Sequence, residues 1–139
     1  MSIQNFIDGS IPFGSGQATA TSTVNLTGAF NLSLPVIFSK AGNMATLSFN
    51  SAHATETGTG GYASGTINYP AGFVPAPLPS VDNNVWGIVN ISINNDQTNR
   101  AGIVQIQGGN LQIGSFPVSG TTTNQIGLWQ TIIIPYICS

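Results

Sequence analysis

No window of this sequence leaves a helix room to run. Gly, Pro, Ser, Thr or Asn interrupts the chain about every 8 to 12 residues, a rhythm that suits short strands joined by turns. Between the interruptions the residues alternate. Ala45, Leu47 and Phe49 fall on one side of a strand, with Met44, Thr46 and Ser48 on the other; Val89, Ile91 and Ile93 are separated in the same way from Asn90, Ser92 and Asn94. Successive side chains of a strand point to opposite faces, so this period is that of a half-buried sheet.

The pattern predicts an all-β domain with strands at 21–27, 30–40, 44–50, 61–68, 85–93, 101–107, 111–116 and 125–137. Eight antiparallel strands are what a single jelly-roll sandwich requires. Ala41-Gly42-Asn43 and Gly108-Gly109-Asn110 supply hairpin turns, because positive φ is cheap for Gly and tolerated by Asn. Pro70 to Pro79 is too poor in backbone N–H groups for a central strand and reads as an extended loop. Residues 1–20 read as an N-terminal arm or edge segment, and residues 21–139 as the jelly-roll domain. One strand breaks the alternation. Ile132, Ile133 and Ile134 are consecutive, so one face should meet the core and the other a neighbouring subunit. Ile132, Ile133, Ile134 and Tyr136 are therefore the expected oligomer interface.

Composition says what such a domain can do. The 139 residues fit one domain, and apolar residues at 41% supply a core. Asp, Glu, Lys and Arg make up only 4%, against roughly a quarter in an ordinary soluble domain. A polar surface without charge lacks the repulsion that keeps copies apart, and assembly is its natural use. The two cations, Lys40 and Arg100, cannot neutralise a row of phosphates, so no nucleic-acid partner is expected. They are also the only two sites for trypsin. The start of the chain shows no basic and apolar leader, and no run approaches the ~20 apolar residues of a membrane span. The expectation is synthesis and assembly in a host cytoplasm, with Cys138 a reduced, unpaired thiol rather than a bridge between subunits.

Chemistry has little to work with. Four carboxylates, one histidine and one cysteine are the whole reactive inventory. His53 and Glu56, placed in a loop after the third strand, lack a further ligand for a metal. Asp82-Asn83-Asn84 and Asn94-Asn95-Asp96 are oxygen-rich, but each brings one formal charge, fits no calcium-loop spacing and serves a turn equally well. Gly14-Ser15-Gly16 and Ala63-Ser64-Gly65 make no nucleophile elbow, and Gly58-Thr59-Gly60-Gly61 precedes no helix that would cradle a phosphate. No enzymatic activity, metal or cofactor is expected. Tyr62, Tyr69, Trp86 and Trp129 are the residues on which sugar rings could stack, with neighbouring Asn and Asp bonding the hydroxyls. Asn25, Asn31 and Asn90 head N-glycosylation sequons, usable only on a route with the machinery.

The order of several short motifs resembles a known family. Phe38-Ser39-Lys40-Ala41-Gly42-Asn43 followed by Thr46-Leu47, then Ile67-Asn68-Tyr69-Pro70-Ala71-Gly72-Phe73 with Pro75, is similar to a hairpin and proline-glycine-phenylalanine segment of viral fibre and spike heads. Gly102-Ile103-Val104-Gln105-Ile106 and Asn110-Leu111-Gln112-Ile113 resemble their penultimate hairpin, and Trp129 with Tyr136 their closing strand. The likeness spans roughly 38–137. Relatives of this shape include tumour-necrosis-factor-like and complement-like heads and the penton (vertex) proteins of large double-stranded DNA viruses. The resemblance implies a jelly-roll building block, trimeric in heads and pentameric at vertices. The expected function is thus a virion structural protein at the capsid surface, touching its own copies and neighbouring capsid proteins; the alternative is a lectin-like head that binds a host-surface glycan.

Overall fold

The computed structural model of the protein describes residues 17–57, 61–76, 84–93, 96–116, 125–128 and 131–139. Their regular structure consists of β1 (Gln17–Gly28), β2 (Phe30–Ala41), β3 (Met44–Phe49), β4 (Ala52–Glu56), β5 (Gly61–Thr66), β6 (Asn84–Ile93), β7 (Asp96–Gln107), β8 (Asn110–Phe116), β9 (Gln125–Leu128) and β10 (Ile132–Ile137). All pairings are antiparallel, as the alternation predicts. The described residues form ten strands rather than the expected eight. β4 forms where a loop around His53 was expected, and the predicted final strand divides into β9 and β10. The expected boundary at residue 20 falls inside β1. The reason is common to β1 and β4: half-buried Ala18 and Ala20, like Ala52 and Ala54, alternate with exposed Thr19 and Thr21 or His53 and Thr55. Alanine is too small to raise the apolar signal by which a strand is read.

Two sheets share one hairpin. β1 and β2 pair from Gln17↔Ala41 to Leu26↔Leu32. β3 adds to β2 and β10 to β3, which gives sheet A the order β1-β2-β3-β10. Sheet B runs β5-β8-β7-β6-β9-β4. Beyond Leu26 the hairpin splays: Thr27 and Gly28 pair with Ser64 and Ala63 of β5, while Phe30 and Asn31 pair with Glu56 and Thr55 of β4. The tip thereby closes both ends of sheet B, and β1-β5-β8-β7-β6-β9-β4-β2 form a ring. Gly28 makes the splay possible. Its φ of +127° is open to glycine, and a Cβ there would lie 2.3 Å from the Tyr62 carbonyl oxygen. Within the fold the pairs are nested, with β6·β7 enclosed by β5·β8, then β4·β9, then β3·β10.

The core lies between the sheets. Leu34, Val36 and Phe38 of β2, Leu47 and Phe49 of β3 and Ile134 of β10 face Leu111 and Ile113 of β8 and Leu128 of β9, all at most 1% exposed. Each such side chain withdrawn from water contributes roughly 1.5–3 kcal/mol. Phe73, from the proline-rich loop, covers one end of this core. Cys138 is buried and unpaired within the subunit, so its thiol is not presented to a neighbour.

Candidate functional site

Of the four aromatic residues expected to form a sugar platform, two are fully described. Tyr69 is half-buried and packs with its ring centroid 5.7 Å from Phe38 and 5.8 Å from Tyr136. Phe38 in turn stacks on Phe73 at 5.9 Å. The loop after β5 is fixed onto sheet A by this cluster and by two polar ties. The Tyr136 hydroxyl donates to the Phe73 carbonyl at 2.7 Å, and Lys40 Nζ donates to the Gly72 carbonyl at 2.5 Å while standing 5.3 Å from the Phe73 ring centroid. Burial pushes both hydroxyls above the ordinary tyrosine value; for Tyr136, Cys138 and Tyr69 beside it add to the effect. Tyr69 therefore serves packing.

Tyr62 is different. It stands on the outward face of β5, 43% exposed, opposite Gly114 of β8. Trp86 lies in β6, but its side chain is outside the described part, and Trp129 lies outside the described residues altogether. The same holds for Asp82 and for the side chains of Glu56, Asn90, Asp96 and Arg100. Asn25 and Asn31 are exposed, Asn25 accepting a 2.9 Å bond from the Ser33 hydroxyl. His53 is exposed on β4, and among the described residues no three of His, Cys, Asp and Glu gather where they could hold a metal.

The expected interface is rearranged by the alternation of β10. Ile132, Ile134 and Tyr136 point inward and are buried, whereas Ile133 is 62% exposed. The three inward residues complete the core and are unavailable to a neighbour. Ile133 has other company. In register across the outer face of sheet A lie the rows Ile37–Ser48–Ile133, Ser39–Thr46–Pro135 and Ala41–Met44–Ile137. Ile37, Met44, Ile133 and Ile137 are all large apolar residues exposed to solvent. The sequence held no signal for this grouping, since it depends on the register of three strands from distant parts of the chain.

Among the described residues β10 is also an edge strand, and its C-terminal half is covered against pairing. Cys138 N–H donates to Asn43 on the β3 side, so Ile133, Pro135 and Ile137 direct their backbone groups the other way. There Ile137 and Ser139 are met by Ala76 and Val74 at 2.8 and 3.0 Å. Pro135 has no N–H to offer.

No family model matches the sequence, and no curated protein matches it. Solved structures do. The chain is similar to the reovirus attachment protein sigma1, solved in complex with α-2,3-sialyllactose, with a TM-score of 0.53 at 16% identity over 88% of this chain and 67% of that one. It is also similar to the receptor binding protein gp15 of Listeria phage PSA, with a TM-score of 0.57 at 15% identity over 96% of this chain and 74% of that one. The likeness is one of fold. At these identities it carries no residue across and shows the fold alone.

Proposed function

We propose that this chain is a virion structural protein of the attachment type, a jelly-roll head subunit that joins copies of itself at the particle surface and turns over no substrate. The outer face of sheet A carries the reading. Exposed Ile37, Met44, Ile133, Pro135 and Ile137 lie on three adjacent strands of this uncharged face, interspersed with Ser39, Thr46 and Ser48. Covering it yields about 25 cal/mol per Å² of apolar surface, with few ions to strip of water. A second copy suits it because the same uncharged surface meets itself without repulsion. With Pro135 and the Val74–Ala76 segment obstructing the C-terminal half of the edge, copies would stack by the face more readily than add a strand.

Three further observations support this reading. The nested pairings suit a folded hairpin wound as a jelly roll. The two solved structures described above are named as attachment or receptor-binding proteins, which favours a head over a vertex component. The sequence offers turnover only four carboxylates, one histidine and one cysteine. Location at the capsid surface, assembly in the host cytoplasm and contact with neighbouring capsid proteins follow from the same reading. The test is mass in dilute buffer. The wild-type chain is expected as a closed oligomer and the Ile133→Asp variant as a folded monomer, since Ile133 contributes little to its own core. A wild-type chain that stays monomeric at high concentration would overturn the proposal. A second reading, a head that binds glycan, is favoured by the exposed ring of Tyr62.

A further inference from the structure

Tyr62 is the only large apolar side chain exposed among the described side chains of sheet B. The backbone aims it. The β5–β8 register slips between Gly61 and Tyr62, Gly61 has a φ of +102°, and the Tyr62 ring lies over Gly114, where an added Cβ would be 2.8 Å from its Cδ1. A bulge gives up ladder regularity and redirects a side chain. Here the result is a ring lying on a bare glycine, with one face toward water.

The described side chains around it are uncharged hydrogen-bonding groups. Ser64 and Gln112 are cross-strand partners one row along, about 7 Å from the Tyr62 row. Gln105 of β7 continues their row and donates from Nε2 to Gln112 Oε1 at 2.6 Å. That bond orients both amides and does not use the Gln112 N–H groups. Gln105 is only 9% exposed, whereas Gln112 and Ser64 are half-buried, so these two are the groups of the row within reach of solvent. In the next row Thr66 Oγ1 donates to Asn110 Oδ1 at 3.1 Å. An aromatic ring flanked by oriented amides and hydroxyls has the two halves of a sugar's chemistry, an apolar C–H face and a rim of hydroxyls.

We propose that this face binds a neutral hexopyranose, with Tyr62 stacked on the C–H face of the sugar and Gln112 and Ser64 bonding its hydroxyls. The inference rests on the attachment reading and names what such a head would hold. The sugar is neutral because no described side chain of this face is charged, and Lys40 belongs to sheet A, where Gly72 and Phe73 engage it. Among the described side chains of this face a sialic-acid carboxylate would find no ionic partner. A shallow site of this kind binds with a Kd on the order of millimolar, and several copies in one oligomer raise the avidity.

Saturation-transfer NMR on the full chain tests it, with methyl glycosides of galactose, glucose, mannose and N-acetylglucosamine, and with α-2,3-sialyllactose, as probes. At least one neutral glycoside should receive saturation, Tyr62→Ala should weaken it by roughly tenfold, Gln112→Ala by a smaller factor, and Tyr62→Trp should retain it. Transfer to no neutral glycoside, transfer to sialyllactose alone, or binding that survives Tyr62→Ala would overturn the inference. Mass measured on the same samples separates the two proposals: an intact oligomer that ignores every sugar removes the sugar site and leaves the self-association reading standing.

Discussion

Tyr136 sits where sheet A, the proline-rich loop and the C-terminal residues meet. Its hydroxyl satisfies the buried Phe73 carbonyl, and its ring packs on Tyr69. Tyr136→Phe keeps the ring and leaves that carbonyl without its donor, a loss of about 1–2 kcal/mol that denaturant unfolding will measure. Alkali probes the same place. Burial raises Tyr69 and Tyr136 above 10.0, so the folded chain holds protons that the unfolded chain releases at that pH. Stability should be level below about pH 10 and fall above it, and a thermal scan across that pH should find a shallower fall in Tyr136→Phe. The aromatic residues were visible in the sequence; their roles were not. Three consecutive isoleucines conceal which of them faces water, because identity carries no information about face, and Tyr136 was assigned to the outside for the same reason.

At the level of strands, β10 is the instructive case. A proline inside an apolar run marks an edge strand, and Pro135 turns its missing donor toward the open side. Pro135→Thr restores a backbone N–H aimed at that side and should accelerate aggregation, followed by light scattering, at an unchanged folded fraction. Unchanged scattering would mean that Val74–Ala76 shields the edge unaided. Alternation made β3 legible, with Ala45, Leu47 and Phe49 buried as expected. It failed at β4, where alanine fills the inward positions. The candidate sugar face was legible only as Tyr62. Ser64 and Gln112 join it through register between strands far apart in the chain, and composition cannot give register.

For the whole molecule, the scarcity of charge has a measurable counterpart. Trypsin could cut after Lys40 or Arg100, but the Lys40 ammonium is held by the Gly72 carbonyl and the Phe73 ring. Folded protein treated with trypsin should yield no peptide ending at Lys40, while denatured protein should; mass spectrometry reads the difference. A Lys40 cut in the folded state would mean that the loop lifts from sheet A.

The nested pairing also sets a timetable. Met44 and Ile37 emerge early in synthesis, but Ile133 and Ile137 join them only after most of the chain has followed, when β10 docks on β3. If copies associate as proposed, a nascent subunit would lack half of the associating face until β10 has docked on β3.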